Sequence, residues 1–150
     1  MKEKLLVSAC LLGKNCKYNG GNNYTPETEK LKERFELLPV CPETFGGLQS
    51  PREPSERVED KVLSLSGADV TEAFRRGAEK TLKIALAHGV TRAVLKERSP
   101  SCGSGTIYDG SFSGAVVSGD GVAAEKLKQH GITVFGESRI EALLDETGGK

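Results

Sequence analysis

Short apolar segments alternate with helix patterns along this chain, and this alternation limits the fold more than any other feature of the sequence. The apolar segments are typical of buried strands and lie at residues 4–12, 36–40, 92–96 and 132–135. A segment with the pattern and end signals of a helix comes after each of them, at residues 25–35, 69–89, 121–130 and 138–146. Such alternation favours a parallel sheet with helices on both faces. We therefore expect one Rossmann-like domain over residues 1–150, a three-layer α/β fold with a short, mainly parallel sheet.

Two of the connecting segments are expected to have structure or function of their own. Residues 57–65 alternate weakly and predict a small edge hairpin. Residues 99–119 are rich in glycine and serine and predict a loop too long to serve only as a connection. Because long ordered loops usually carry function, residues 99–119 are expected to form part of a site.

The composition argues against several classes of function. Lys plus Arg and Asp plus Glu both number 21, so the formal net charge is zero, and aromatic residues make up 5% with no Trp. Nucleic acid is therefore not the expected partner, since such binding depends on neutralising phosphates and on aromatic stacking. No apolar run approaches the roughly 20 residues of a membrane span, so we expect a cytoplasmic protein without membrane contact. Cysteines stay reduced in the cytosol and there more often bind metals or catalyse than form disulfides.

The cysteines are the residues with the clearest chemical potential. Cys10, Cys41 and Cys102 each lie at the end of a predicted strand or after it, and Cys16 follows Cys10 closely. Ligands bind beyond the carboxyl ends of the strands in such sheets, so three thiols can meet there at one point. Thiolates select zinc, copper(I) or iron–sulfur clusters. No Cys-x-x-Cys pair is present, and each cysteine taken alone is more typical of a small buried hydrophobe.

The number of ligands leaves the kind of centre open. Iron–sulfur clusters usually take four cysteines. A structural zinc site is closed by four ligands, whereas a catalytic site keeps one position vacant. Because Cys16 can supply a fourth ligand, counting cysteines does not decide between these centres.

Polar residues near the cysteines have both a catalytic and a structural interpretation. Glu43 lies just past the strand-end cysteine of the second strand, where a general acid or base would be useful, although a solvated or helix-capping carboxylate fits as well. Ser99 and Ser101 are turn formers that can also present hydroxyls to a ligand. Arg52 and Arg57 can hold an anion, but surface ion pairs are the simpler interpretation.

Motifs spread over nearly the whole chain resemble those of the bacterial family known as domain of unknown function 523. In chain order they are Val-Ser-Ala-Cys-Leu-Leu-Gly at residues 7–13, Pro-Val-Cys-Pro-Glu at 39–43, Gly-Gly-Leu at 46–48, Lys96 with Ser-Pro-Ser-Cys-Gly at 99–103, and Ile-Tyr-Asp-Gly at 107–110. Members with a known activity are thiouracil desulfidases, which bind a [4Fe-4S] cluster through three cysteines.

The resemblance implies a role for each matching residue. The residues that look like the cluster ligands are Cys10, Cys41 and Cys102. Glu43 matches the acid/base carboxylate of the family, and either Ser99 or Ser101 matches its hydroxyl partner. Cys16 occupies a variable position, and if it is dispensable the fourth iron is open to a thiocarbonyl sulfur.

The reaction implied by the resemblance is hydrolytic and redox-neutral. The open iron acts as a Lewis acid on the sulfur, water deprotonated by Glu43 attacks the carbon, and sulfur stays on the cluster as sulfide. Longer relatives carry an appended domain and are linked to thiouridine in transfer RNA. This chain shows no such extension and no net charge, so the expected partner is a small thiolated base such as 2-thiouracil.

Three other functions stay open at this point. A zinc-binding hydrolase or a structural zinc site would use all four cysteines. A non-catalytic protein would carry or sense a cluster or sulfur without turnover. A thiol-redox protein needs a close cysteine pair, for which Cys10 and Cys16 are the candidates.

Overall fold

Strands and helices alternate in the computed structural model, which describes residues 2–148. The strands are β1 (Glu3–Ser8), β2 (Phe35–Val40), β3 (Ser55–Val58), β4 (Lys61–Ser64), β5 (Arg92–Leu95), β6 (Thr106–Tyr108), β7 (Val116–Ser118) and β8 (Thr133–Gly136). The helices are α1 (Thr28–Arg34), α2 (Pro42–Phe45), α3 (Thr71–Ala87), α4 (Val122–Gln129) and α5 (Ile140–Gly148). Within residues 2–148, no helix is both long enough and apolar enough to cross a membrane.

Four parallel strands form the central sheet, in the order β2-β1-β5-β8. β1 takes an inner position because its residues are apolar on both faces, and Leu5, Leu6 and Val7 are all fully buried. Leu6 pairs in register with Leu38 of β2 and with Ala93 of β5. The parallel sheet confirms the fold class that the alternation of strands and helices predicts.

Helices cover both faces of this sheet, which produces three layers. On one face α3 and α4 close a cluster in which Leu127 packs with Leu6. On the other face Leu31 of α1 and Leu143 of α5 pack in a cluster with Leu5. Leu5 and Leu6 serve different layers because successive side chains of a strand point to opposite faces.

The first apolar segment forms a shorter strand than the sequence predicts. β1 ends at Ser8, and residues 9–12 form a 3-10 turn that Gly13 closes with a φ of 97°. Leu11 in this turn packs in the same cluster as Leu5, so the apolar pattern continues after the strand has ended. Gly13 accepts the left-handed conformation and so lets the chain close this turn after the strand has ended.

Two antiparallel hairpins lie outside the central sheet. β3 pairs with β4, so the hairpin predicted near residues 57–65 exists, but it forms a sheet of its own instead of an edge of the main one. β6 pairs with β7 inside residues 99–119, where the prediction of a loop without strands is wrong. These strands have three residues each, too few for an alternating pattern to be recognised.

Candidate active site

A cavity of about 510 Å³ opens at the carboxyl end of the central sheet. Its wall includes Ser8 at the end of β1, Val40 at the end of β2 and Lys96 just after β5. The residues with chemical potential that line it are Cys10, Cys16, Cys41, Cys102, Glu43, Ser99 and Ser101. The structure thus brings the four cysteines, Glu43 and both serines to one cavity, whose size is typical of a small-molecule site, whereas Arg57 lies outside it.

Cys10 reaches the cavity because β1 ends early and the chain turns. The side-chain amide of Asn23 donates a hydrogen bond to Cys10 Sγ at 3.4 Å, and the backbone N–H of Asn23 donates to the Cys10 carbonyl at 2.9 Å. Burial raises the pKa of the Cys10 thiol, and the Asn23 hydrogen bond opposes this rise. The sequence did not point to Asn23, because nothing local shows that this loop folds back on the turn.

The single turn of α2 places both Cys41 and Glu43. Cys41 is the N-cap residue, and Pro42 takes the first helical position. Proline suits this position because a backbone N–H there would have no hydrogen-bond partner within the helix. α2 lies in backbone contact with α3, since a Cβ added at Gly77 would overlap the carbonyl oxygen of Pro42. This contact determines the position of α2, and with it that of the thiol and the carboxylate.

The N-terminus of α4 holds the turn that carries Cys102. The Ser101 carbonyl accepts the N–H of Ala123 at 2.8 Å, which satisfies one of the free N–H groups at the start of that helix. Gly121 lies so close to this turn that an added Cβ would overlap the Ser101 backbone. These contacts with helix α4 therefore determine how Cys102 is oriented toward the cavity.

Two hydroxyl groups contact the Cys102 sulfur. The Ser8 hydroxyl donates to Cys102 Sγ at 3.4 Å, and the Ser101 hydroxyl lies 3.5 Å from the same atom. Ser8 Oγ in turn accepts the backbone N–H of Lys96 at 2.9 Å. Burial raises the pKa of Cys102 to about 12, and the hydrogen bond from the Ser8 hydroxyl opposes this rise.

The carboxylate of Glu43 is held at both oxygens. Arg52 donates to Oε1 through Nε at 3.1 Å and through Nη2 at 2.8 Å, and the Ser101 hydroxyl donates to Oε2 at 3.1 Å. The side chains of Glu43 and Arg52 are 16% and 12% exposed, so solvent and salt screen this ion pair little. The prediction of a surface ion pair is wrong for Arg52, because its ion pair with Glu43 is largely shielded from solvent. Arg57 forms an ion pair with Glu125, at 2.6 Å.

The two serines near Cys102 have different environments. Ser99 Oγ accepts the backbone N–H groups of Ser101 and Cys102 at 3.1 and 3.0 Å, which is turn chemistry. Ser101 is 2% exposed, and its hydroxyl reaches Glu43. The hydroxyls of Ser99 and Ser101 lie 3.0 Å apart, so Ser99 can donate to Ser101 while Ser101 donates to the carboxylate. Of the two serines, Ser101 is the one in contact with Glu43.

Cys16 lies beside Cys41 and not in a pair with Cys10. Cys41 Sγ is 3.9 Å from the Cys16 carbonyl oxygen, and Cys16 is 5% exposed. The hydrogen bond between the two thiols is the main reason that the pKa of Cys41 is lowered and that of Cys16 is raised, and burial raises the pKa of Cys16 further. The pair of Cys10 and Cys16 considered for a thiol-redox protein is therefore not the one that the fold brings into contact.

The thiols share a cavity but do not converge on one point. Among residues 2–148, no group of three or more His, Cys, Asp or Glu side chains is close enough together to hold a single metal ion. Thiolates on a tetrahedral zinc ion lie about 3.8 Å apart, given Zn–S bonds of about 2.3 Å. This geometry does not match a zinc site built from all four cysteines. Thiolates that bind different irons of a cluster need not approach one another so closely.

Fold and cavity together define an α/β protein with a thiol-lined pocket at the carboxyl end of its parallel sheet and a partly buried carboxylate beside the thiols. The pattern of the 2-thiouracil desulfurase family matches residues 5–139. The chain belongs to this family, which confirms the resemblance drawn from its motifs.

Two similar proteins extend over almost the whole chain. The uncharacterized protein YbbK of Bacillus subtilis (strain 168) is 43% identical, with 93% of this chain and 99% of YbbK aligned. The solved structure of TudS, a [4Fe-4S]-dependent thiouracil desulfidase of the DUF523 group, is also 43% identical. It covers 99% of this chain and 100% of its own, with a TM-score of 0.90. The two folds therefore agree from end to end.

Proposed function

We propose that this protein is a [4Fe-4S]-dependent desulfidase that converts a small thiolated base such as 2-thiouracil into the oxo base. One observation carries the proposal: the partly buried Glu43 carboxylate and the Ser101 hydroxyl line the same cavity as Cys10, Cys41 and Cys102. Thiolates are ligands for a cluster and a carboxylate can accept a proton, so this cavity has the groups that the reaction needs. The similarity to TudS over the full chain supports the same function.

The donor set of the cavity fits a cluster held by Cys10, Cys41 and Cys102. The sulfurs are soft ligands, and those of Cys10 and Cys102 accept hydrogen bonds from Asn23 and Ser8, which favour the thiolate form. With three protein ligands, the bound cluster would leave one iron as a Lewis acid for the thiocarbonyl sulfur.

Glu43 is the residue that would hold and move the proton. Arg52 occupies Oε1, so Oε2 is the oxygen that meets Ser101 and that takes the proton of the attacking water. The hydrogen bond from the Ser101 hydroxyl would hold Oε2 in the cavity as the proton arrives. The overall reaction is balanced without an oxidant or reductant: the thiocarbonyl and water give the carbonyl and hydrogen sulfide, with the proton on Glu43 returned to the leaving group.

The substrate that we propose is a free base and not a polynucleotide. A cavity of about 510 Å³ is in the range of small-molecule sites, and a net charge of zero provides no general attraction to phosphates. We also place the protein in the cytosol, where its four free thiols stay reduced.

Anaerobic reconstitution with iron and sulfide tests the proposal. We expect a brown protein with about four irons per chain, as a cubane cluster requires, that converts 2-thiouracil to uracil and sulfide. Colourless protein that takes up zinc instead would contradict the proposal. Protein that is loaded with the cluster but inactive on every thiolated base would favour the non-catalytic carrier.

Alanine in place of Cys10, Cys41 or Cys102 is expected to remove most of the bound iron and to abolish desulfidation, because each change deletes one proposed ligand. Cys16→Ala is the matched control: it removes a buried thiol from the same cavity and is expected to keep about four irons. Iron and sulfide analysis after reconstitution measures the difference. If Cys16→Ala loses as much iron as the other variants, the three-ligand assignment is wrong.

Arg52→Ala is expected to lower kcat roughly 100-fold, because Glu43 Oε1 loses both of its N–H donors and the carboxylate can turn away from the substrate. Iron content should not change. Arg52→Lys should be intermediate, since lysine restores the charge but not the paired hydrogen bonds. Arg75→Ala is the control, because it removes an arginine of α3 whose side chain is 57% exposed and does not line the cavity. Equal kcat values for the Arg52 and Arg75 variants would contradict the positioning role.

A further inference from the structure

The hairpin of β6 and β7 forms one wall of the cavity. Tyr108, Phe112 and Gly114 of this hairpin line it, together with Glu56 of β3. Phe112 is half-buried and belongs to neither of the core clusters of the described residues. Phe112 therefore belongs to the lining of the cavity and not to the packing of the core.

The backbone of Phe112 has a conformation that aromatic residues rarely adopt. Its φ is 57°, in the left-handed region that disfavours any residue with a Cβ. Gly110 and Gly114 in the same loop have φ values of 97° and 88°, positions where glycine avoids this strain. A strained residue persists only where its surroundings hold it, and such residues cluster at functional sites. Because an aromatic residue is kept at a strained position between two such glycines, we expect the ring itself to have a function.

Glu56 holds the loop in this conformation. Its Oε1 accepts the backbone N–H of Gly110 at 2.8 Å and that of Phe112 at 3.0 Å. Glu56 is only 8% exposed, and hydrogen bonds to a carboxylate are stronger than those between neutral groups. The loop is also pressed against β3, because a Cβ at Gly110 would overlap the Val58 side chain. The position of Phe112 is thus determined by residues far from it in the chain.

We infer that Phe112 is a substrate-contacting residue whose ring stacks on the planar heterocycle of the thiolated base, and that Glu56 is the positioning residue that holds this ring. The inference rests on the proposed function and adds the recognition of the face of the substrate. Glu43 and Ser101 can make polar contacts with the edge of the base, but neither offers a flat apolar surface for its face. Stacking on an aromatic side chain is sequence-tolerant and strong enough to change the affinity for a base about tenfold or more.

Phe112→Asn tests the contact, because asparagine removes the ring yet tolerates the left-handed backbone. We expect the KM for 2-thiouracil, and the Kd of the reconstituted protein for uracil measured by calorimetry, to rise about tenfold with little change in kcat. Phe112→Tyr keeps the ring and should stay near the wild-type values. Val117→Asn is the matched control, since Val117 lies in β7 of the same hairpin, is 46% exposed and does not line the cavity.

Glu56 variants test the positioning role. Glu56→Gln keeps an oxygen that can accept both N–H groups, whereas Glu56→Ala does not. We expect Glu56→Ala to reproduce the rise in KM and Kd, and Glu56→Gln to restore most of the affinity. Thermal unfolding of each variant shows whether it is folded, and if Glu56→Ala is not, the asparagine and tyrosine variants of Phe112 still decide the question.

The outcomes separate this inference from the proposed function. If the wild-type protein is active and Phe112→Asn has unchanged KM and Kd, the stacking role is overturned and the proposed function stands. If the wild-type protein loads a cluster but does not desulfidate any thiolated base, the proposed function fails. In that case, a uracil affinity that disappears with the ring would still support Phe112 as the residue that binds the base.

Discussion

Glu43→Gln should lower the rate of desulfidation roughly 100-fold or more while the iron content stays at its wild-type value. Glutamine has nearly the shape of glutamate, and its oxygen can still accept a hydrogen bond from Arg52 or Ser101, but it cannot take a proton from water. Because geometry is largely kept, the lost activity would measure proton transfer and not the collapse of the site.

Anaerobic steady-state kinetics with 2-thiouracil, together with iron and sulfide analysis, would measure this effect. Glu36→Gln is the matched control, because Glu36 is an exposed carboxylate on β2, the strand that leads to Cys41. We expect it to behave as the wild type. A Glu43→Gln protein with wild-type kcat would refute the acid/base role, and one that loses its iron would show that Glu43 maintains the centre instead of moving a proton.

Gly77→Ala is expected to destabilise the fold by about 2 kcal/mol or more, since its new Cβ would overlap the backbone carbonyl oxygen of Pro42. In an ordinary helix interior the same change stabilises by roughly 1 kcal/mol, so the structure reverses the sign expected from helix propensity. Gly46 approaches the Ala73 carbonyl in the same way from the other side of this contact. Backbone atoms cannot yield as a flexible side chain would, so α2 must move.

The displacement would reach the active site, because α2 carries Glu43 and has Cys41 as its N-cap residue. We expect the midpoint of thermal unfolding to fall by about 4–8 °C, and iron loading and turnover to fall with it. Lys83→Ala is the control, an exposed change on the same helix α3 that should leave the midpoint and the iron content nearly unchanged. A Gly77→Ala protein as stable as the wild type would contradict the close contact between α2 and α3.

Part of this fold can be predicted from the sequence, because it depends on the local pattern of apolar residues. The run Leu5–Leu6–Val7 is apolar at successive positions, which is typical of a strand buried on both faces, and it forms part of an inner strand of the sheet. Cys41 follows the second apolar run directly, so the chain itself carries it to the carboxyl edge.

Other features could not be predicted from local sequence patterns, for physical reasons. The strands β6 and β7 are too short to show alternation, and their pairing depends on a loop that Glu56 holds from another hairpin. The end of β1 could not be predicted from hydrophobicity, because Leu11 is as deeply buried in the turn as Leu5 is in the strand. Burial alone does not distinguish a strand from a turn that packs on the same core.

The sequence by itself determined the class of fold and the edge of the sheet where Cys10, Cys41 and Cys102 lie, because strand periodicity and covalent order place residues that follow parallel strands at one edge. Only the tertiary structure decided which polar groups meet there. Glu43 lies 9 residues from Arg52 and 58 from Ser101 along the chain, and their contacts arise only when α2, the loop after it and the turn before α4 pack together. Local propensity does not encode distances between separate loops, so the choice of Ser101 over Ser99 as the partner of Glu43 required the folded structure.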